Sequence, residues 1–261
     1  MNYLPVFFRS ITAVAVVLLF QMCQPNNEQA KGNPPMEGFN EAASDAKAIQ
    51  LADSVMAAQG GRQSWDNTRY IAWNFFGNRK LLWDKATGDV RVEYLKEDAK
   101  TLVNINTGEG KVYRNGTELT QPDSVAKYLQ RGKEAWVNDS YWLVMPYKLK
   151  DSGVTLKYLG EETTQAGQPA DVLQLTFDKV GVTPENRYKV FVDKETKLVS
   201  QWAYFPSAND TVPAFVMPWQ DYKMYDGIKL SGDRGQAKIT DIQVLKEVPK
   251  EAFTSFAPVQ L

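Results

Sequence analysis

The chain has 261 residues, a net charge of −1 and no histidine. Without a basic stripe it lacks the electrostatic footprint of a nucleic-acid binder, and without imidazole this chain offers no Ser-His-Asp or Cys-His catalysis and no His-ligated zinc. Its single cysteine, Cys23, excludes an intramolecular disulfide, while 7 Trp, 12 Tyr and 12 Phe are enough to fill a core or line an apolar cavity.

The first 23 residues read MNYLPVFFRSITAVAVVLLFQMC. Arg9 supplies positive charge, and residues 11–20 are apolar apart from one threonine. That is the length of a signal-peptide core, and it is short for a membrane-spanning helix. Cys23 follows within three residues. The arrangement resembles a bacterial lipoprotein leader, whose cysteine becomes the acylated first residue of the mature chain. Such leaders carry leucine and a small residue where this chain has Phe20 and Met22. The resemblance implies lipidation of Cys23 and attachment to a membrane; the alternative is a short uncleaved anchor or an ordinary signal peptide. Residues 24–40 are rich in Asn, Gln, Gly and Pro and read as a flexible tether. Residues 41–261 then form a single β-rich domain.

The domain opens with a helix over residues 41–59, capped by Asn40 and stopped by Gly60-Gly61. Ile49, Ala52, Val55, Met56 and Gln59 share one face, which packs on a sheet. From Arg69 the pattern turns to short extended runs: residues 70–76, 80–84, 90–95, 101–106 and 111–114. Asn115-Gly116 is a two-residue hairpin signal before 117–119, because both residues tolerate positive φ. A helix then starts at Pro122-Asp123 and runs past Gly132 toward Val137. Strands resume at 154–159, 172–177, 187–193, 198–205, 214–217 and 222–225. Asp226-Gly227 marks a tight turn before 228–231 and 237–248, and 249–253 closes with a helical turn. Asp84-Lys85-Ala86-Thr87 is echoed by Asp193-Lys194-Glu195-Thr196, two loops in which Asp and Thr bond local amides. The fold class is mainly β: a curved antiparallel sheet of about eleven strands with a few helices packed on it.

This order of elements resembles the LolA/LolB lipoprotein-carrier superfamily. The run Tyr188-Lys189-Val190-Phe191-Val192-Asp193-Lys194-Glu195-Thr196-Lys197-Leu198-Val199 is similar to that group's strand–turn–strand segment. The runs Asp139-Ser140-Tyr141-Trp142-Leu143-Val144-Met145-Pro146-Tyr147-Lys148-Leu149 and Leu230-Ser231-Gly232-Asp233-Arg234 resemble an uncharacterised lipoprotein family of Bacteroidetes near that superfamily. The resemblance implies an open half-barrel closed by helices over an apolar cavity. It brings no set of functional residues with it.

Residues 141–149 are the most apolar stretch after the leader, and Trp142, Met145 and Tyr147 read either as the lining of a groove for an acyl chain or as core. Trp73 and Phe75 alternate on one strand and Trp202 and Tyr204 on another, so each pair shares a side; either faces the cavity or packs in the core. Asp233 and Arg234, in a Gly-flanked turn, read as a headgroup or acid–base site or as a local ion pair. Asn104, Asn106 and Glu109 lack the spacing of an EF-hand and read as a hairpin. Asp53-Ser54-Val55, Asp123-Ser124-Val125 and Asp210-Thr211-Val212 resemble the O-glycosylation acceptor pattern of Bacteroidetes.

No catalytic residue, metal ligand or cofactor emerges. The leading reading is a non-enzymatic, monomeric, lipid-anchored protein that binds an apolar or lipid ligand in lipid or lipoprotein handling. It faces the periplasm from the outer membrane, because residues 24–28 carry no acidic run. Two alternatives are a scaffold holding a partner's strand or peptide and a hydrolase using paired carboxylates.

Overall fold

The structure is a computed structural model that describes Met1 and residues 32–260. Cys23 and the leader lie outside the described residues. Among the described residues, fourteen strands form two antiparallel, curved sheets that do not close. The larger is built from β1 (Tyr70–Phe75), β2 (Arg79–Asp84), β3 (Asp89–Tyr94), β4 (Ala99–Asn104), β5 (Gly110–Arg114), β6 (Thr117–Glu118), β12 (Gln220–Tyr225), β13 (Ile228–Arg234) and β14 (Ala237–Leu245), in the order β12-β13-β14-β1-β2-β3-β4-β5-β6. The smaller holds β7 (Val154–Thr163), β8 (Pro169–Phe177), β9 (Arg187–Asp193), β10 (Val199–Phe205) and β11 (Phe215–Pro218), in the order β11-β10-β9-β8-β7.

Only Trp219 separates β11 from β12. Its amide donates to the Ser200 carbonyl, so one run of chain pairs with β10 through its first half and with β13 through its second. That shared run joins the sheets. The strands sit where period-two patterning puts them: each of the fourteen extended runs becomes a strand, against about eleven expected for the sheet. Asn115 (φ 49°) and Gly116 (φ 83°) make the two-residue turn between β5 and β6. In both DK-x-T loops the Asp oxygen accepts the next two free amides: Asp84 from Ala86 and Thr87, Asp193 from Glu195 and Thr196.

The single first helix expected over 41–59 resolves into two pieces, a 3₁₀ turn at Glu41–Ala43 and α1 (Ala46–Ala58), and beyond it, from Gly61, comes a short α2 (Gly61–Asn67) that the sequence pattern does not announce. Gly60, at φ 114°, breaks α1 from α2. Asp45 spends its carboxylate on the β7 amide of Tyr158 and on Lys157. The start of the helix thereby covers the edge of β7. Ala48, Leu51, Ala52 and Val55 of α1 pack on Leu156, Leu173, Leu175, Val190 and Val192.

The long helix α3 runs from Pro122 to Val144, two turns past Val137. Pro146 follows in a 3₁₀ turn, Met145–Tyr147. Gly132 lets α3 approach the larger sheet: a Cβ there would meet Thr101 Cγ2 at 2.6 Å. Leu129, Leu143 and Val144 join the core formed by Ile71, Val90, Val92, Val103 and Val112.

Residues 33–40 fall in the stretch that composition reads as tether, yet they lie packed against the domain. Asn33 is buried, Met36 donates its amide to Lys150, and the Gly38 carbonyl accepts from Gly153. On the outer side of the larger sheet, Arg91 binds the carbonyls of Ala252, Ser255 and Ala257 and holds the C-terminal segment. No helix among the described residues is long and apolar enough to cross a membrane.

Candidate functional site

A cavity of about 430 Å³ lies between α3 and the smaller sheet, beside the loop of residues 178–186. Its helix wall is Val137, Tyr141 and Trp142, one side of α3 at i, i+4 and i+5 spacing. Its sheet wall comes from strand register. Tyr188 on β9 faces Tyr204 on β10, and Tyr204 faces Phe215 on β11. The three rings form a row with centroids 5.3 and 5.0 Å apart. Trp202, two residues before Tyr204, shares its side, stacks on Tyr188 at 5.2 Å and meets Trp142 edge-on at 4.8 Å. Phe177 completes the wall, and Val180, Gly181, Val182 and Thr183 supply the loop side.

Polar groups gather at the rim. Glu134 and Asn138 are exposed on α3. Asn186 donates to Thr183 and accepts from the Tyr204 hydroxyl at 3.2 Å. Behind the wall, the Tyr141 hydroxyl and Trp202 Nε1 are buried without a side-chain or backbone partner among the described residues. Burial pushes the Tyr141 and Tyr188 phenols well above their ordinary range, so both stay neutral. Glu134 is the single carboxylate among the lining residues, whereas two-carboxylate hydrolysis needs a facing pair. The chemistry on offer is an aromatic trough with a polar mouth, suited to an apolar chain or ring system.

The structure brings Trp142, Trp202 and Tyr204 together in this cavity. Phe75 sits one layer behind, edge-on to Trp142 at 6.2 Å. Trp73 is 2% exposed in the core against the larger sheet. Met145 is fully buried at the end of α3, in the core under α1. Tyr147 stacks on Trp65 at 4.5 Å, and its hydroxyl reaches the carbonyls of Gln59 (2.9 Å) and Lys229 (2.8 Å), donating to one at a time. Sequence reasoning missed Tyr141, Phe177, Tyr188, Phe215 and the loop residues. The alternation Tyr188, Val190, Val192 is a signal that these side chains share one face, but the facing of three strands is not written in any one of them.

The Asp233–Arg234 turn splits. Asp233 pairs with Lys238 at 2.5 Å and accepts the Gly235 amide, while Arg234 turns inward and is 1% exposed. The Asn104 side-chain Oδ1 accepts the amides of Asn106 and Thr107 in the β4–β5 hairpin. Of the three Asp-Ser/Thr triplets, the third lies in a loop with Val212 exposed.

No family model matches the chain, and no curated protein matches it. Among solved structures, the chain is similar to a DUF1329 family protein from Desulfovibrio piger, with TM-score 0.44 and 14% identity over 79% of this chain and 96% of that one. It is also similar to a LolA superfamily protein from Nitrosomonas europaea, with TM-score 0.40 and 10% identity over 80% of this chain and 97% of that one.

Proposed function

We propose that this protein is a non-enzymatic binder that holds an apolar or lipid ligand in the cavity between α3 and the smaller sheet. The observation that carries this reading is the cavity of about 430 Å³ walled by Tyr141, Trp142, Tyr188, Trp202, Tyr204 and Phe215. Its volume falls within the roughly 300–1,000 Å³ of small-ligand sites, which are mostly apolar with a few polar groups. The leader and Cys23 support a place in the cell envelope, with an acyl anchor in the outer membrane and the domain in the periplasm. Two or more acyl chains hold a protein stably. In that setting the ligand is a lipid, or the acyl part of one, and the role is lipid or lipoprotein handling.

The test uses the intact chain and dansyl-labelled undecanoic acid. Saturable binding is the expected result, with energy transfer from the cavity tryptophans and displacement by palmitate. Val137→Trp, which fills the helix side of the trough, should weaken binding by about tenfold or more. Absence of saturable binding, or equal binding by Val137→Trp, overturns the reading.

A further inference from the structure

Away from the cavity, one corner of the domain gathers charge around an aromatic ring. Lys85 follows β2 and places its ammonium 4.2 Å from the centre of the Trp65 ring on α2. Trp65 in turn stacks on Tyr147. The charges acting on Lys85 come from Asp66, Arg62, Lys148 and Asp151. Both carboxylates are already engaged: Asp66 holds Arg62 at 2.8 Å, and Asp151 holds Lys148. Lys85 makes no ion pair among the described residues, although it is partly buried. Three cations therefore share two anions. A partly desolvated charge without a counter-ion is unfavourable on its own, and here burial pulls the ammonium down to about 8.

The same corner receives the N-terminal strap. Arg62 donates to the Pro34 carbonyl, and its second nitrogen lies against Met36 Sδ. Asn33 donates to Asp53 beside Lys150. Asn33 stands ten residues after Cys23, and ten residues span at most ~36 Å when fully extended. An anchor at Cys23 thus keeps this corner within a short reach of the bilayer surface, where phosphate is the abundant anion. A tryptophan under a lysine suits that interface, with an apolar body and a charged tip.

We propose that Lys85, Arg62 and Lys148, set around Trp65, form a docking site for the phosphate of a membrane lipid headgroup at the base of the N-terminal strap. The site goes beyond the cavity and does not depend on it, but it rests on the acyl anchor at Cys23 proposed above. It sets the domain's orientation on the membrane, with the strap and α2 toward the surface. The phosphate supplies the anion that Lys85 lacks, and Arg62 and Lys148 add shared hydrogen bonds at its edge.

The experiment measures acetylation of Lys85 in the intact chain by peptide mass spectrometry, against Lys246, whose side chain is 81% exposed. The chain is placed in dodecyl maltoside, in phosphatidylglycerol–phosphatidylethanolamine vesicles, in phosphate-free galactolipid vesicles, and in dodecyl maltoside with inorganic phosphate. Expected is a fall in relative Lys85 reactivity of about fivefold or more in phospholipid vesicles alone, with part of that protection lost in Lys148→Gln. No protection overturns the proposal. Equal protection in galactolipid vesicles also overturns it, since plain shielding then suffices. Equal protection by inorganic phosphate in detergent overturns it too, because the site is then one for free anions.

Discussion

The Arg234 guanidinium lies 3.4 Å from the centre of the Trp219 ring, at the point where the two sheets share a strand. It also donates to the Trp142 carbonyl, in the last turn of α3, and to the Ser231 hydroxyl and carbonyl. A buried cation at a helix C-terminus complements the helix dipole, and here the same cation ties the cavity helix to the sheet junction. Burial pulls Arg234 down to about 9, still charged at neutral pH. Arg234→Lys keeps the charge but cannot reach Trp142, Ser231 and Trp219 together. The expected loss is ~2–3 kcal/mol, from charged hydrogen bonds worth ~1.5–3 kcal/mol each, read from the urea midpoint. An unchanged midpoint would show that the junction holds without this fork.

A second tie holds α3 from its middle. Arg79 on β2 meets Asp139 in a two-pronged ion pair of 2.6 and 2.7 Å, with the carboxylate fully buried. Burial pushes the Asp139 carboxyl up, against the pull of Arg79. Asp139→Asn should cost about 3 kcal/mol, since it leaves the guanidinium without its anion. Asp139 is adjacent to Asn138 at the cavity rim, so binding of the dansyl probe should weaken in the same variant under conditions where it remains folded. Unaltered affinity would separate the fold's needs from the cavity's.

Most strands were legible because they bury a side or flank an Asn-Gly, Asp-Gly or Asp-x-x-Thr turn, signals carried within a few residues. The helix ends were less so. Residues 141–144 of α3 are aromatic and aliphatic rather than cleanly amphipathic, and they read as an apolar run, while the polar Asp139 and Ser140 just before them are buried as well, because the helix there is covered on more than one side. Trp142, Trp202 and Tyr204 were picked out by size and alternation, but the same signals pointed to Trp73 and Met145, which are core. Whether a ring faces a cavity or a neighbour depends on how strands from distant parts of the chain pair. Lys85, an unremarkable residue in a turn, gains its setting from Trp65 and Lys148, both far from it in sequence.

The strap offers a prediction about order at the anchor end. Lys150 and Asp53 form an ion pair of 2.5 Å with side chains 6% and 4% exposed, and Asn33 bonds both of them. Asp53→Ala leaves Lys150 buried without its anion, at a cost of about 3–5 kcal/mol. It also removes the acceptor for Asn33. Limited proteolysis should then cut within residues 33–40 at enzyme levels that spare the native chain. If cleavage of that stretch is no faster, backbone bonds such as Met36 to Lys150 suffice to hold it.

Lys85 makes the last prediction, and it is one of pH. Its folded-state value of about 8 lies below the ordinary 10.5, with burial as the main cause. Below pH 8 the ammonium is charged in both states, and the folded chain bears the full desolvation cost. Between about 8 and 10.5 the unfolded chain holds a proton that the folded chain has released, so stability from this group rises with pH. Above 10.5 both states are neutral and the cost has gone. Lys85→Met should therefore be more stable than the native chain at pH 7, on the order of 1 kcal/mol once solvent screening and the lost contact with Trp65 are allowed for. That advantage should shrink steadily to nothing by pH 10.5. Urea midpoints of the two chains, compared at matched pH so that every other titrating group cancels, provide the measurement. A gain of equal size at pH 7 and pH 10 would assign the effect to the packing of methionine and leave Lys85 without the uncompensated charge on which its affinity for phosphate rests.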